Sequence, residues 1–343
     1  MSRTGVEPKP PWRVVPGDVR QRVEHVLGAR VSRAARVWGG YGPSPTYRLR
    51  LDDGRLAFLK AAWPGSNEFQ WRAHQQELRV YRELSGLITP WAPGFLGDFD
   101  QGEWRIMLLE DLGPKSAPPW TPGLVRAVAG GLAAFHLSTL DTDLPLWLPR
   151  LEQHRVVTAQ LWSGASATEQ FEALAGLAGA KAAEARRWLH DCIPALSESA
   201  AGMLGASEGL CFMHLDVRSD NLRVVSGQLR LFDWPHVGVG VPEFDAAAWA
   251  QTVEVEGGPG VETLMGWYGD HIDVRKDVLT SAVASISGYF ANHSWQPEIP
   301  GLPRVRDFQR VQLQMTLRWA AERLGLPRPE WVDWIRTGQQ ACE

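Results

Sequence analysis

Alternation of apolar and polar positions marks two hairpins in the first third of the chain. Tyr47, Leu49 and Leu51 alternate with polar neighbours, Asp52-Asp53-Gly54 supplies a turn, and Leu56, Phe58 and Lys60 alternate on the return. A period of two around a glycine-containing turn predicts paired antiparallel strands. Gly94–Phe99, the turn Asp100-Gln101-Gly102 and Trp104–Leu109 predict a second hairpin. Between the two, Asn67 to Leu84 reads as a helix. Asn67 and Gln70 suit an N-cap and capping box, and Leu78, Tyr81 and Leu84 supply part of an apolar stripe.

The pattern changes past Gly113. Gly113-Pro114 and Pro118-Pro119 interrupt any regular element. Val125, Val128, Leu132 and Phe135 then recur at helical spacing, and much of 150–200 is rich in Ala and Leu with scattered charge. A short β insertion follows: Leu210–Met213, Leu222–Val225, the turn Ser226-Gly227, and Leu229–Asp233. Helical patterning resumes after Trp249, with a Pro-rich connection at Pro297–Pro303. The expected class is α+β in two lobes. Residues 1–12 form a flexible lead-in, 13–112 a small β-rich lobe, and 113–343 a larger, mostly helical one.

Composition narrows the function. Hydrophobic residues make up 44% and charged residues 22% of 343, ordinary for a globular protein. Lys and Arg number 35 against 39 Asp and Glu, a net charge of −4, so there is no basic excess to neutralise a nucleic-acid backbone. The N-terminus is polar and Pro-rich with no apolar signal segment. The apolar stretch around Ala127–Phe135 is far shorter than a membrane span of ~20 residues. Cys192, Cys211 and Cys342 are widely spaced and form no C-x-x-C, which fits a reducing compartment. These features predict a cytoplasmic protein with no nucleic-acid or membrane partner, and none points to an obligate protein partner.

The chemistry concentrates in His214-Leu215-Asp216-Val217-Arg218-Ser219-Asp220-Asn221, followed downstream by Asp233 at a predicted strand end. These residue types suit phosphoryl transfer. Asp216 can accept the proton of an attacking hydroxyl. Asn221 can hold a metal ion while its backbone loops around Asp216, and Asp233 brings a full negative charge to Mg²⁺ bridging phosphates. One carboxylate and one carboxamide suit a Mg²⁺ that keeps waters and phosphate oxygens. Arg218 could neutralise the transferring phosphoryl group or equally form a surface salt bridge.

With this loop the chain resembles the aminoglycoside phosphotransferase and choline kinase group, within the protein-kinase-like fold. The resemblance implies an ATP- and Mg²⁺-dependent enzyme that phosphorylates a hydroxyl of a small molecule. It implies further roles. Lys60 would hold the phosphates and Glu77 would orient it. Phe58 would lie over the adenine, and the backbone of Glu110 and Leu112 in Glu110-Asp111-Leu112-Gly113 would read the adenine edge. Gly40 and Gly42 in Gly39-Gly40-Tyr41-Gly42 would cover the nucleotide, since glycine lets backbone N–H groups approach phosphate closely. Gly131–His136 looks structural, and Asp245 matches a residue that braces the loops. Two positions depart from the pattern. Leu215 stands where the family often has Gly, and Trp234-Pro235 follows the metal Asp where protein kinases have Phe-Gly. Pro235 fixes φ and removes a donor, arguing for a rigid segment.

Other readings are weaker. A kinase-like module that binds nucleotide or a partner without turnover would not need Asp216. A protein kinase would need an Ala-Pro-Glu signature and a longer stretch between Asp233 and Pro242. Gly205-Ala-Ser207-Glu-Gly209 matches the G-x-S-x-G of serine hydrolases in the wrong strand–helix order. There is no G-x-x-x-x-G-K-[ST] and no H-E-x-x-H, and Gly238-Val-Gly240 lacks the third glycine of a dinucleotide fingerprint. For the acceptor, Glu254, Glu256, Asp270 and Asp273 read as an acidic wall or, more simply, as solvated helix faces, and Trp249, Trp267, Trp295 and Trp319 as ring-stacking surfaces or, for most of them, as core.

Overall fold

A computed structural model of the chain describes residues 9–38, 44–162, 168–204 and 207–337. The expected nucleotide-covering glycines Gly40 and Gly42 lie outside the described residues, as do Cys342 and part of the G-x-S-x-G match. The elements run α1 (Gly17–Leu27), β1 (Val31–Arg36), β2 (Thr46–Leu51), β3 (Leu56–Ala62), α2 (Glu68–Glu83), α3 (Ser85–Ile88), β4 (Phe95–Gln101), β5 (Trp104–Glu110) and α4 (Pro122–Leu137). They continue with α5 (Arg155–Thr158), α6 (Thr168–Gly176), α7 (Ala182–Ala201), β6 (Cys211–Met213), β7 (Leu222–Val225), β8 (Gln228–Leu231), β9 (Gly238–Gly240), α8 (Pro242–Val255), α9 (Val261–Gly269), α10 (Lys276–His293) and α11 (Val305–Arg323).

By packing the chain divides into two units. The first takes in 1–116, 220–236 and 300–303; the second takes in 117–219, 237–299 and 304–343. The β7–β8 hairpin thus goes with the first unit, although its sequence lies within 113–343. The cause is visible at its base: Leu231 donates its backbone N–H to the Trp91 carbonyl at 2.6 Å, and Arg230 donates to the carbonyls of Thr89 and Pro90 at 3.3 and 3.0 Å.

In the first unit a five-stranded antiparallel sheet runs in the order β1-β2-β3-β5-β4. Both predicted hairpins are present as β2–β3 and β4–β5. One sheet face carries Tyr47, Leu49, Ala57, Leu59, Ala61, Ile106 and Leu108, and α1 covers it with Val19, Val23 and Leu27. Because strand side chains alternate, Leu56, Phe58 and Lys60 take the opposite face of β3. Helix α2 begins as expected: Asn67 Oδ1 accepts from the Gln70 N–H at 3.0 Å and Gln70 Oε1 from the Asn67 N–H at 2.9 Å. The end of the lead-in is packed rather than loose. Lys9, only 8% exposed, donates to Thr46 Oγ1 at 2.7 Å, and the Tyr47 hydroxyl donates to the Pro10 carbonyl at 2.7 Å.

The second unit is mostly helical around a two-stranded β6–β9 pair. Helix α10 packs against α7, α8 and α11. Trp162, Trp249, Trp319 and Trp331 are fully buried there. Trp249 and Trp319 are therefore core residues, not stacking surfaces. Trp267 instead carries the Arg126 guanidinium 4.2 Å above its ring.

Candidate active site

The chemistry-bearing residues form two clusters, one in each unit. In the first, Lys60 projects from the sheet face opposite α1. Its ammonium pairs with Glu77 Oε2 and with Asp233 Oδ1, the latter at 2.6 Å. Glu77 is buried on α2, about two turns past the capping box, and its other oxygen accepts from the Trp234 backbone N–H at 3.4 Å. One carboxylate thus ties the lysine to the segment that carries Asp233. Burial works against the Lys60 cation, but Asp233 and Glu77 outweigh it and hold the ammonium protonated above its ordinary range. Trp234 is fully buried and anchors its indole N–H on the Leu231 carbonyl at 3.0 Å. That anchoring fits the rigidity expected of Trp234-Pro235. Asp233 lies two residues past β8 rather than in a strand, with φ at 68°, in the left-handed region.

Asn221 and Asp233 meet through the β7–β8 hairpin. Leu222 pairs with Leu231, and Phe232 extends the ladder by donating its N–H to the Asn221 carbonyl at 3.0 Å. The two metal candidates therefore stand at the base of one hairpin. A carboxylate and a carboxamide oxygen are hard donors, and this set fits Mg²⁺ shared with phosphate and water. The Glu110 side chain folds back to accept from the Gly94 N–H at 3.0 Å. Phe58 is half-buried, with Arg48 and Leu109 as its cross-strand neighbours. Arg48 forms a 2.6 Å ion pair with buried Asp111 and donates to the Gly113 carbonyl, fastening the Glu110–Gly113 segment around Leu112.

Close to this cluster lies a residue that the sequence reading passed over. His74, one turn before Glu77, is 4% exposed, and its Nε2 has no hydrogen-bond partner. Burial, with Lys60 and Arg105 nearby, pushes its pKa down to about 3. His154 in the second unit is pushed down to about 4 by burial and Arg155, against Asp245. Its neutral Nδ1 accepts the Val156 N–H at the start of α5. An unfolded histidine takes up a proton near 6.5 while these two stay neutral, so stability falls as pH drops from 6.5 toward 4. The expected loss is about 2 kcal/mol per histidine by pH 5. Urea unfolding at pH 7 and pH 5 measures it, and His74→Met should lessen the loss. Equal midpoints at the two pH values would refute the expectation.

In the second unit the loop 214–219 carries Asp216. His214 is fully buried, and its Nδ1 accepts the Asp216 N–H at 3.3 Å. Leu215 adopts φ 61°, a left-handed conformation that costs a non-glycine residue roughly 1–2 kcal/mol. Asp245 offsets this cost. It is fully buried in the first turn of α8 and accepts the N–H groups of His214 and Leu215 at 2.7 and 2.8 Å. The departure from glycine thus retains the backbone turn that glycine would give, and Asp245 braces the loop as the resemblance implies. Gly238 makes room for the substituted side chain: a Cβ there would meet Leu215 at 3.1 Å and the Pro149 carbonyl at 2.8 Å. His136 lies 3.4 Å from Asp245 and 2.8 Å from the Tyr268 hydroxyl, beneath the loop. Arg218 forms an ion pair with Asp216 at 3.0 Å, and its guanidinium lies 5.5 Å from the Phe308 ring centre.

The sequence profile of the phosphotransferase enzyme family (APH) matches residues 33–277, more than half of the chain. The chain belongs to this family. The match spans both clusters. Solved structures of similar fold include amicoumacin kinase hAmiN in complex with AMP-PNP, Ca²⁺ and Ami: 12% identical, TM-score 0.55, covering 88% of this chain and 94% of that one. Spectinomycin phosphotransferase APH(9)-Ia with ADP and spectinomycin is 12% identical, with a TM-score of 0.57 and coverage of 86% and 93%. A thermostable mutant of aminoglycoside phosphotransferase APH(4)-Ia with ADP and hygromycin B is 14% identical, with a TM-score of 0.50 and coverage of 92% and 98%. The fold of this phosphotransferase-family chain is therefore protein-kinase-like. A comparison with curated protein sequences gives no match.

The four carboxylates considered for an acidic wall are divided in the structure. Glu254 accepts the Val261 N–H at 2.7 Å. Glu256 accepts from the Ser219 hydroxyl at 2.6 Å and from the Trp120 indole at 2.8 Å. Both carboxylates serve the fold of this family member rather than standing open to a cation, while Asp270 and Asp273 are exposed. No helix among the described residues is long and apolar enough to cross a membrane.

Proposed function

We propose that this chain transfers the terminal phosphoryl group of ATP, with Mg²⁺, to a hydroxyl of a small molecule of the aminoglycoside, sugar or amino-alcohol type. The observation that carries the reading is the Lys60–Glu77–Asp233 cluster, a cation held between two carboxylates beside the hairpin that also presents Asn221. An ammonium fixed in this way is oriented to meet phosphate oxygens. Asn221 and Asp233 would hold Mg²⁺, which when bound neutralises charge on the phosphates. The segment Glu110–Leu112 and Phe58 would take the adenine. The complexes of similar fold with AMP-PNP and ADP support an adenine nucleotide.

Asp216 orients the acceptor hydroxyl and takes its proton. The acceptor oxygen bonds to phosphorus as the bond to the bridging oxygen of ADP breaks, and ADP leaves with that electron pair. Arg218, paired with Asp216, would offset charge on the phosphoryl group. Asp216 distinguishes this reading from a module that only binds nucleotide. Buried, free Cys192 and Cys211 fit work in the cytoplasm, where ATP is supplied.

The test is ADP release from Mg·ATP over pooled aminoglycosides, amino sugars, neutral sugars, choline-like amines and nucleosides. At least one pool should raise ADP release by wild type and not by Asp216→Asn. Nucleotide binding with silence from every pool would favour the module that binds without turnover.

A further inference from the structure

Helix α8 meets the Asp216 loop at two places. In its first turn Asp245 holds the N–H groups of His214 and Leu215. At its C-cap Glu256 accepts the hydroxyl of Ser219 at 2.6 Å. Ser219 is buried, three residues past Asp216. At 1.5 Å per residue the two anchors stand ~16 Å apart on one rigid helix, and Asp216 lies in the chain between the residues they hold, Leu215 and Ser219.

Glu256 is itself immobilised. Its second oxygen accepts the Trp120 indole N–H, and its backbone N–H donates to the Thr252 carbonyl at 3.1 Å. Behind it Gly257 turns the chain at φ 81°, and Gly258 packs so closely on Val253 that a Cβ would meet its side chain at 2.4 Å. At the other end of α8, Glu243 receives a two-pronged contact from Arg275 at 2.8 Å on each prong. The helix is fastened at both ends, so whatever it holds is fastened too.

We infer that Glu256 is a positioning residue, which through the Ser219 hydroxyl fixes the C-terminal end of the loop that carries Asp216. This inference rests on the proposed role of Asp216. Without the Ser219 contact the loop keeps Asp245, the Asp216 N–H on His214 and the Arg218 ion pair, but its C-terminal end is no longer tied to the C-cap of α8, and the Asp216 carboxylate shifts with it. Misplacement on the scale of 1 Å costs on the order of 10²-fold in rate. The contact acts on orientation and not on nucleotide binding, so its loss falls on kcat.

Two measurements test it together. In steady-state ADP release, Ser219→Ala and Glu256→Ala should each lower kcat about tenfold with KM for ATP within about twofold. The double variant should be no slower than the slower single, because both remove one interaction. Ser219→Thr, which keeps the hydroxyl, should restore kcat. In native-state hydrogen exchange, amides of 214–219 should exchange faster in Ser219→Ala than in wild type or Ser219→Thr, while those of α8 stay protected. Near-wild-type kcat in Ser219→Ala, with Asp216→Asn silent, overturns the inference, as do losses that multiply in the double variant or unchanged exchange. Wild-type silence with every acceptor counts against the phosphotransferase reading instead, and the exchange experiment still decides whether Glu256 fixes the loop.

Discussion

Asp216→Asn is expected to lower kcat by about 10³-fold while changing affinity for Mg·ATP by no more than about twofold. The substitution keeps the volume of the side chain and an oxygen that can face Arg218 at the present 3.0 Å. It removes the group that takes the acceptor proton. Lys60, proposed to hold the nucleotide phosphates, keeps its pairing with Glu77 and Asp233 in this variant. The backbone around Asp216 should hold as well, because Asp245 grips His214 and Leu215 through their N–H groups. Stopped-assay ADP release with the best acceptor pool measures the first quantity, and calorimetric titration with a non-hydrolysable ATP analogue the second. A variant within tenfold of wild type would remove Asp216 from the reaction. Loss of nucleotide binding in parallel with turnover would recast it as part of the nucleotide site.

What the sequence disclosed depended on the range of the interaction. The capping box at Asn67 and Gln70 is a contact across three residues, and it reads directly from the chain. The face of Lys60 follows from strand alternation, and Glu77 as its partner is what the family resemblance implies. The 214–221 loop is legible because its residues lie within one short segment, and its brace, Asp245, stands where the resemblance implies one. Helix α1 and strand β1 were not anticipated. Val19, Val23 and Leu27 give α1 a narrow apolar stripe in otherwise polar sequence, and β1 is a half-exposed edge strand without strong alternation.

Long-range contacts were invisible for a different reason. The burial of Lys9 depends on Thr46, thirty-seven residues away, and the grip of Glu77 on the Trp234 N–H joins positions 157 residues apart. Glu254 and Glu256 read as an acidic wall or as solvated faces, because charge in a sequence carries no record of its partner. The fold spends both on hydrogen bonds to the chain itself, so what remains of an acceptor site in this protein must be sought elsewhere than at those carboxylates.

Lys60→Met is expected to lower kcat/KM for ATP by about 10²–10³-fold, the usual effect of removing one preorganised charge-stabilising donor. Lys60→Arg should not restore it, since a guanidinium fork replaces a compact ammonium between two carboxylates. The variant also predicts a pH signature that a simple loss of affinity would not produce. With the cation gone, Glu77 keeps its burial and the neighbouring Asp233, both of which push its carboxyl up, and loses Lys60, which opposes them. A carboxyl with a folded-state pKa above its unfolded value binds its proton more tightly in the folded protein. Stability then falls as pH rises above the ordinary 4.5, so the deficit of Lys60→Met relative to wild type should grow between pH 5 and pH 8. Adding Glu77→Gln should flatten that trend, because the amide needs no proton to stay neutral. Urea midpoints for the three proteins across this range measure the effect. A deficit independent of pH would mean that Glu77 finds another cation once Lys60 is gone, and kcat/KM within tenfold of wild type would place the phosphates away from Lys60.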